Sequence, residues 1–184
     1  QWTGGTNVRF RYGTPEKIGG WSQLGDSKLT GAARGLHHMV SKEGIKYSLI
    51  GTNRILYAYS GGVYYDIHPL VNPTGTAITS AFSTTNGSPT VTITFATPVP
   101  FQAGDIILFG DASTFTAITG SNFGAADFAD KKFMVASAPN TSTITITMPS
   151  NESGSGATTS GGITFFQYYH VGPAEQVGVF GYGI

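Results

Sequence analysis

The feature that most restricts the fold is a pair of strictly alternating runs, "TVTITF" at Thr90 to Phe95 and "TITITM" at Thr143 to Met148. Apolar and hydroxyl side chains exchange at every residue, the period of a strand with one buried face. Three further runs are strand candidates: Asp105 to Phe109, Lys132 to Ser137 and Ile163 to Tyr169. About five strands in about a hundred residues are enough for a small sandwich or barrel. Between them Thr114 to Asp130 reads as a loose loop, with one helical turn near Ala125 to Asp130. "SNESGSGATTSGG", Ser150 to Gly162, is too polar to pack and reads as a mobile hairpin tip.

The front of the chain has a different rhythm. Arg34 to Val40, Lys46 to Ile50, Ile55 to Tyr59 and Val63 to Ile67 are strand-like, and "SKEG", Thr52-Asn53 and Gly61-Gly62 supply the turns between them. The prediction is a four-stranded antiparallel meander that ends at Pro69, whose ring nitrogen cannot donate to a ladder. Such a meander is one blade of a β-propeller, and it cannot bury both faces alone. Tyr57 and Tyr59 share one strand face, and Tyr64 follows across the Gly-Gly turn. These tyrosines are the candidate interface residues, set to pack on a neighbouring blade or subunit.

Charge divides the chain at the same place. Residues 1 to 70 hold eight basic against four acidic side chains, and the remainder holds two against six. The expected organisation is therefore all-β. Residues 1 to 70 form the blade-like meander, 71 to 171 an inserted Thr/Ser-rich sandwich or barrel, and 172 to 184 a return to the first sheet. Beginning at Gln1 and ending in "QVGVFGYGI", the chain reads as a segment of a longer protein.

Several chemistries find little support. There is no cysteine, hence no disulfide or thiolate metal site, and no 18-residue apolar run. His37 and His38 are adjacent on a strand and point to opposite faces, so one ion cannot easily bind both. Carboxylates are sparse, and nothing selects a catalytic pair such as Asp66 with Asp105 or Asp127 with Asp130. Asp105 fits better as a turn residue bonding its local backbone. No nucleophile elbow, phosphate loop or dinucleotide fingerprint occurs. No enzyme, cofactor or metal is expected. "NVRFRYGTPEKIGGW" interleaves Arg9 and Arg11 with Phe10 and Tyr12. That pattern suits a nucleic-acid surface, but it is better met by an edge strand with its charges outside and its aromatics inside.

"NVRFRYGTPEKIGGW" together with "GAARGLHHMVSKEGIKYSLIGTNRILYAYSGGVYYDIHPL" resembles the N-terminal region of the nozzle (tail tubular, or stabilisation) proteins of short-tailed bacteriophages. "GSPTVTITFATPVPFQAGDIILFGDA" is similar to small β-domains that recur as insertions in phage virion proteins. The resemblance implies a virion component assembled in the host bacterial cytoplasm. It implies a homo-oligomeric ring, commonly of six copies, around the DNA exit channel below the portal and adaptor. Genomic DNA would pass without specific binding, and no membrane insertion is implied. Its interface candidates are Tyr57, Tyr59, Tyr64, Arg9, Arg11 and Arg34. A second reading, a host-glycan-binding module of a fibre or adhesin, requires exposed aromatics such as Tyr168, Tyr169 or Phe115 to converge with polar groups.

Overall fold

A computed structural model describes residues 8–19, 24, 25, 27–78, 82–111, 115, 118, 120–150, 156, 157 and 163–171. The fold is all-β with antiparallel pairing and one helical turn. Strands β1 (Val8–Arg11) and β2 (Thr14–Lys17) form a hairpin that, among the described residues, pairs only within itself. Its turn places Tyr12 at φ 52° and Gly13 at φ 83°. Phe10 and Tyr12 are 58% and 93% exposed, so the expected burial of the aromatics in this segment is overturned. A two-stranded ribbon by itself has no buried face.

The meander forms with its expected order, β3 (Ala33–Val40), β4 (Lys46–Thr52), β5 (Leu56–Ser60) and β6 (Val63–Asp66). Cross-strand partners share a face, so the register assigns every side chain. Leu36, Ile50, Tyr57 and Asp66 make one row, and His38, Ser48, Tyr59 and Tyr64 make the next row on that same face. The opposite face carries the rows His37, Leu49, Ala58, Tyr65 and Met39, Tyr47, Ser60, Val63.

Among the described residues the second sheet has eight strands, where about five are expected. It runs β13-β8-β9-β12-β11-β10-β14-β7 and curls into half a barrel. Its members are β7 (Thr76–Ile78), β8 (Phe82–Thr84), β9 (Thr90–Thr94), β10 (Ile106–Phe109), β11 (Lys132–Asn140), β12 (Thr143–Thr147), β13 (Gly156–Ala157) and β14 (Ile163–Gln167). The alternation is realised in the core: Val91, Ile93, Ile144 and Ile146 are buried while their threonine neighbours stay partly exposed or exposed. Helix α1 (Ala125–Phe128) is a single turn, begun where the Asp127 carboxylate accepts the Gly124 N–H at 2.8 Å. It drives Phe128 among the rings of Phe82, Phe109, Phe115 and Phe133, with centroids 5.1 to 6.1 Å away. In the polar Ser150 to Gly162 stretch the described pair β13 bonds to β8; the rest of the expected hairpin tip lies outside the described residues.

The chain enters and leaves the second sheet side by side. Leu70 bridges Tyr168, the Val71 N–H donates to the Gln167 carbonyl at 2.8 Å, and the Tyr169 N–H donates to the Pro69 carbonyl at 3.1 Å. Adjacent ends are what an inserted module requires, since the host sheet must continue where it was interrupted. The expected return of residues 172 to 184 to the first sheet lies outside the described residues.

Candidate functional site

Three of the six candidate residues, Tyr57, Tyr59 and Tyr64, lie at the junction between the sheets, and the far face of the meander is a second surface. At the junction Ile50, Ile55 and Tyr57 pack on Ile106 and Tyr168, with Leu29, Leu70 and Leu108 at the margin. Tyr57 is 5% exposed, and its hydroxyl accepts the Thr30 N–H at 3.1 Å. The chain itself thus covers the ring that its sequence offers to a neighbour. Tyr59 and Tyr64 stay half-buried beside it, their rings 5.0 Å apart, and the Tyr64 hydroxyl donates to the Leu24 carbonyl at 2.5 Å. Gly25, at φ 83°, lies against the Tyr64 ring where a Cβ would overlap it.

Polar groups lock this contact. The Asp66 carboxylate receives Lys132 Nζ and the Tyr168 hydroxyl, each at 2.5 Å, so β6, β11 and the end of β14 meet on one oxygen. The Lys132 ammonium also lies 5.3 Å from the Tyr57 ring centroid and 5.7 Å from that of Tyr168. Burial, and then the hydrogen bond to Asp66, hold the Tyr168 phenol well above its ordinary pKa, so it acts as a fixed donor. On the other side Arg54 Nη1 donates to the Gly104 carbonyl at 2.5 Å. Asp105 accepts the Gln102 N–H, as its turn role requires, and its second oxygen lies 2.5 Å from His170 Nδ1.

His68 is 5% exposed within this junction, with Nε2 2.8 Å from the Tyr169 carbonyl and its ring 5.3 Å from that of Tyr168. Burial lowers its pKa below 6.5, opposed by the Tyr169 carbonyl and by Asp66, while Lys132 adds to the lowering. The folded chain therefore takes up this proton later than the unfolded chain as pH falls. The stabilising contribution is complete above about pH 6.5 and is lost as pH falls through the folded-state pKa. The thermal midpoint is expected to fall between about pH 7 and pH 5.5, and His68→Gln is expected to flatten that slope. Equal slopes in both proteins would contradict it.

The three arginines do not join the tyrosines. Arg9 pairs with Glu16 at 3.0 Å on the exposed β1–β2 hairpin, Arg11 lies 5.5 Å from the Tyr12 ring, and Arg34 is exposed on edge strand β3. Of the aromatics the glycan reading needs, Tyr168 and Phe115 are buried and Tyr169 is 56% exposed, so they do not converge at the surface. His37 and His38 do lie on opposite faces, and His38 Nδ1 meets Ser48 Oγ at 2.8 Å. Among the described residues no three His, Asp or Glu side chains gather as metal ligands.

The far face of the meander is the other surface. Tyr65, Val63 and Met39 on it are 52%, 44% and 41% exposed, and Leu49 and Tyr47 are half-buried. Among the described residues neither core cluster reaches it.

No family model matches the chain, and no curated protein does. Among solved structures the chain is similar to one named "Phage phi92 endosialidase", at 18% identity and a TM-score of 0.34. That match covers 73% of this chain and 18% of the other, so the chain spans under a fifth of its length. A likeness at this level carries no argument about fold or function.

Proposed function

We propose that the chain is a non-enzymatic structural component of a bacteriophage tail. In this reading it is part of a nozzle-like ring around the DNA exit channel, and its work is done by interfaces. The observation that carries the reading is the set of exposed apolar side chains Tyr65, Val63 and Met39 on the far face of the meander; the other face packs on the junction around Ile50 and Tyr57 and leaves Leu36 and Val40 exposed at edge strand β3. A blade with one open face is completed by the next blade or the next subunit. The resemblance of residues 7–21 and 31–70 to nozzle proteins supports the particular assignment. Other copies, commonly six, and the portal and adaptor are its partners. Asp66 and Asp105 are engaged in holding the junction, which favours a structural use of these carboxylates over a hydrolytic one.

The test lies on that open face. Val63→Asp and Tyr65→Asp place a charge where a neighbour would pack, on side chains that contribute little to the chain's own core. Ring assembly is expected to weaken by about 1–3 kcal/mol per buried side chain, with the thermal midpoint of the isolated chain nearly unchanged. Unchanged assembly would contradict the reading.

DNA provides the second arm. An exit channel works best without tight phosphate clamps, because each neutralised phosphate adds affinity that ejection must overcome. Duplex binding by the isolated chain is expected to be weak. Tight binding with a steep salt dependence, lost when Arg9, Arg11 and Arg34 are replaced, would instead give the basic front a DNA-contact role.

A further inference from the structure

The side-chain amide of an asparagine can be attacked by the backbone nitrogen of the residue that follows it, so the state of that nitrogen decides which asparagine reacts. The described asparagines, Asn53, Asn72, Asn86, Asn122 and Asn140, differ in this respect. After Asn53 the Arg54 N–H donates to Thr52 Oγ1 at 3.0 Å, and after Asn122 the Phe123 N–H donates to Ser121 Oγ at 3.0 Å. Both nitrogens are committed. Asn72 precedes Pro73, whose ring nitrogen carries no hydrogen, and its own amide is held by the Phe165 carbonyl and the Gln167 N–H. Asn140 precedes Thr141, whose branched Cβ crowds the approach, and its side-chain oxygen accepts the Ser142 N–H at 2.8 Å.

Asn86 differs from all four because Gly87 follows it. The two are the central residues of a turn between β8 and β9, closed where the Ser88 N–H donates to the Thr85 carbonyl at 3.0 Å, and both are exposed. The last ladder pair of this hairpin is Thr84 with Val91, so the Gly87 nitrogen lies outside the ladder. Gly87 sits at φ 77°, with open space where a Cβ would stand. Residue 87 therefore offers its nitrogen without a side chain to shield it, on a backbone that turns more easily than any other.

We propose that Asn86-Gly87 is a self-modifying site at which the chain gains a negative charge by deamidation. The Gly87 nitrogen bonds to Asn86 Cγ, the Cγ–Nδ2 bond breaks, and the Gly87 amide proton leaves with Nδ2 as ammonia. A cyclic imide remains. Water opens it at either carbonyl, giving aspartate where the new Cγ–N bond breaks and isoaspartate where the original peptide bond breaks. Either product carries one more carboxylate than the starting chain, ionised at neutral pH. The charge joins a part of the chain that is already acidic, since residues 71 to 184 hold two basic against six acidic side chains.

The experiment incubates the folded chain in warm, mildly alkaline buffer beside the same chain in urea. Mass spectrometry of proteolytic peptides reads the gain of about 1 Da, and electron-transfer fragmentation separates isoaspartate from aspartate. In the folded chain Asn86 is expected to convert at least about tenfold faster than Asn53, Asn72, Asn122 or Asn140, and within about tenfold of its own rate in urea. Isoaspartate is expected among the products. Gly87→Ala is expected to slow the conversion about tenfold or more, and because alanine at this φ strains the turn, the same slowing is read in urea, where no turn exists. The proposal is overturned if another described asparagine converts first, or if the folded rate of Asn86 falls further below its urea rate than that. It is equally overturned by aspartate without isoaspartate, or by a Gly87→Ala chain that converts as fast as wild type in urea.

Discussion

Replacing Phe128 with alanine is expected to cost about 3–5 kcal/mol of unfolding free energy, among the largest losses available in this chain. Its ring is fully buried and touches four other phenylalanines, which come from β8, β10, β11 and the loop that precedes α1. Truncation would empty the centre of that cluster. The flanking sheet is anchored by ladder hydrogen bonds on both sides and cannot collapse far to refill it. Denaturant unfolding of wild type and variant measures the difference. Phe128→Leu, which restores most of the volume, is expected to recover more than half of it. A loss under about 1 kcal/mol for the alanine variant would show that the cluster is not tightly packed.

The junction yields the second large effect. Asp66→Ala removes the acceptor of both the Lys132 ammonium and the buried Tyr168 hydroxyl, and neither has another charged partner among the contacts described. A loss of about 2–4 kcal/mol is expected, near the low end for a buried ion pair because both side chains keep about a quarter of their exposure. Asp66→Asn keeps an oxygen for Tyr168 and should lie between the two. In a double-mutant cycle with Lys132→Met the coupling is expected to reach about 1–3 kcal/mol. Additive losses would mean that the contact between the two sheets rests on apolar packing alone.

These two sites differ sharply in how far the chain announces them. The meander is readable in its strand order, because its strand-like runs are short and each gap carries turn residues with a physical reason to be there. The threonine strands β9 and β12 are readable from their strict alternation, and Asp105 closes its turn as its neighbours suggest. Strands β7, β8 and β13 are not, since runs of two or three residues show no period and owe their existence to distant partners. The Asp66–Lys132–Tyr168 contact joins residues far apart in the chain and leaves no local trace. The hairpin of Arg9 and Arg11 shows the limit of the alternation rule, which says that two faces differ without saying that anything covers either of them.

The central claim is that the open face of the meander is an interface of an assembled tail. Electron cryo-microscopy of the intact particle that contains this chain tests it most directly. The predicted result is a ring of copies around the exit channel, with Val63, Tyr65 and Met39 covered by a neighbouring blade or subunit. A particle in which the chain lies away from the channel, or in which those three side chains face solvent in every copy, would contradict it.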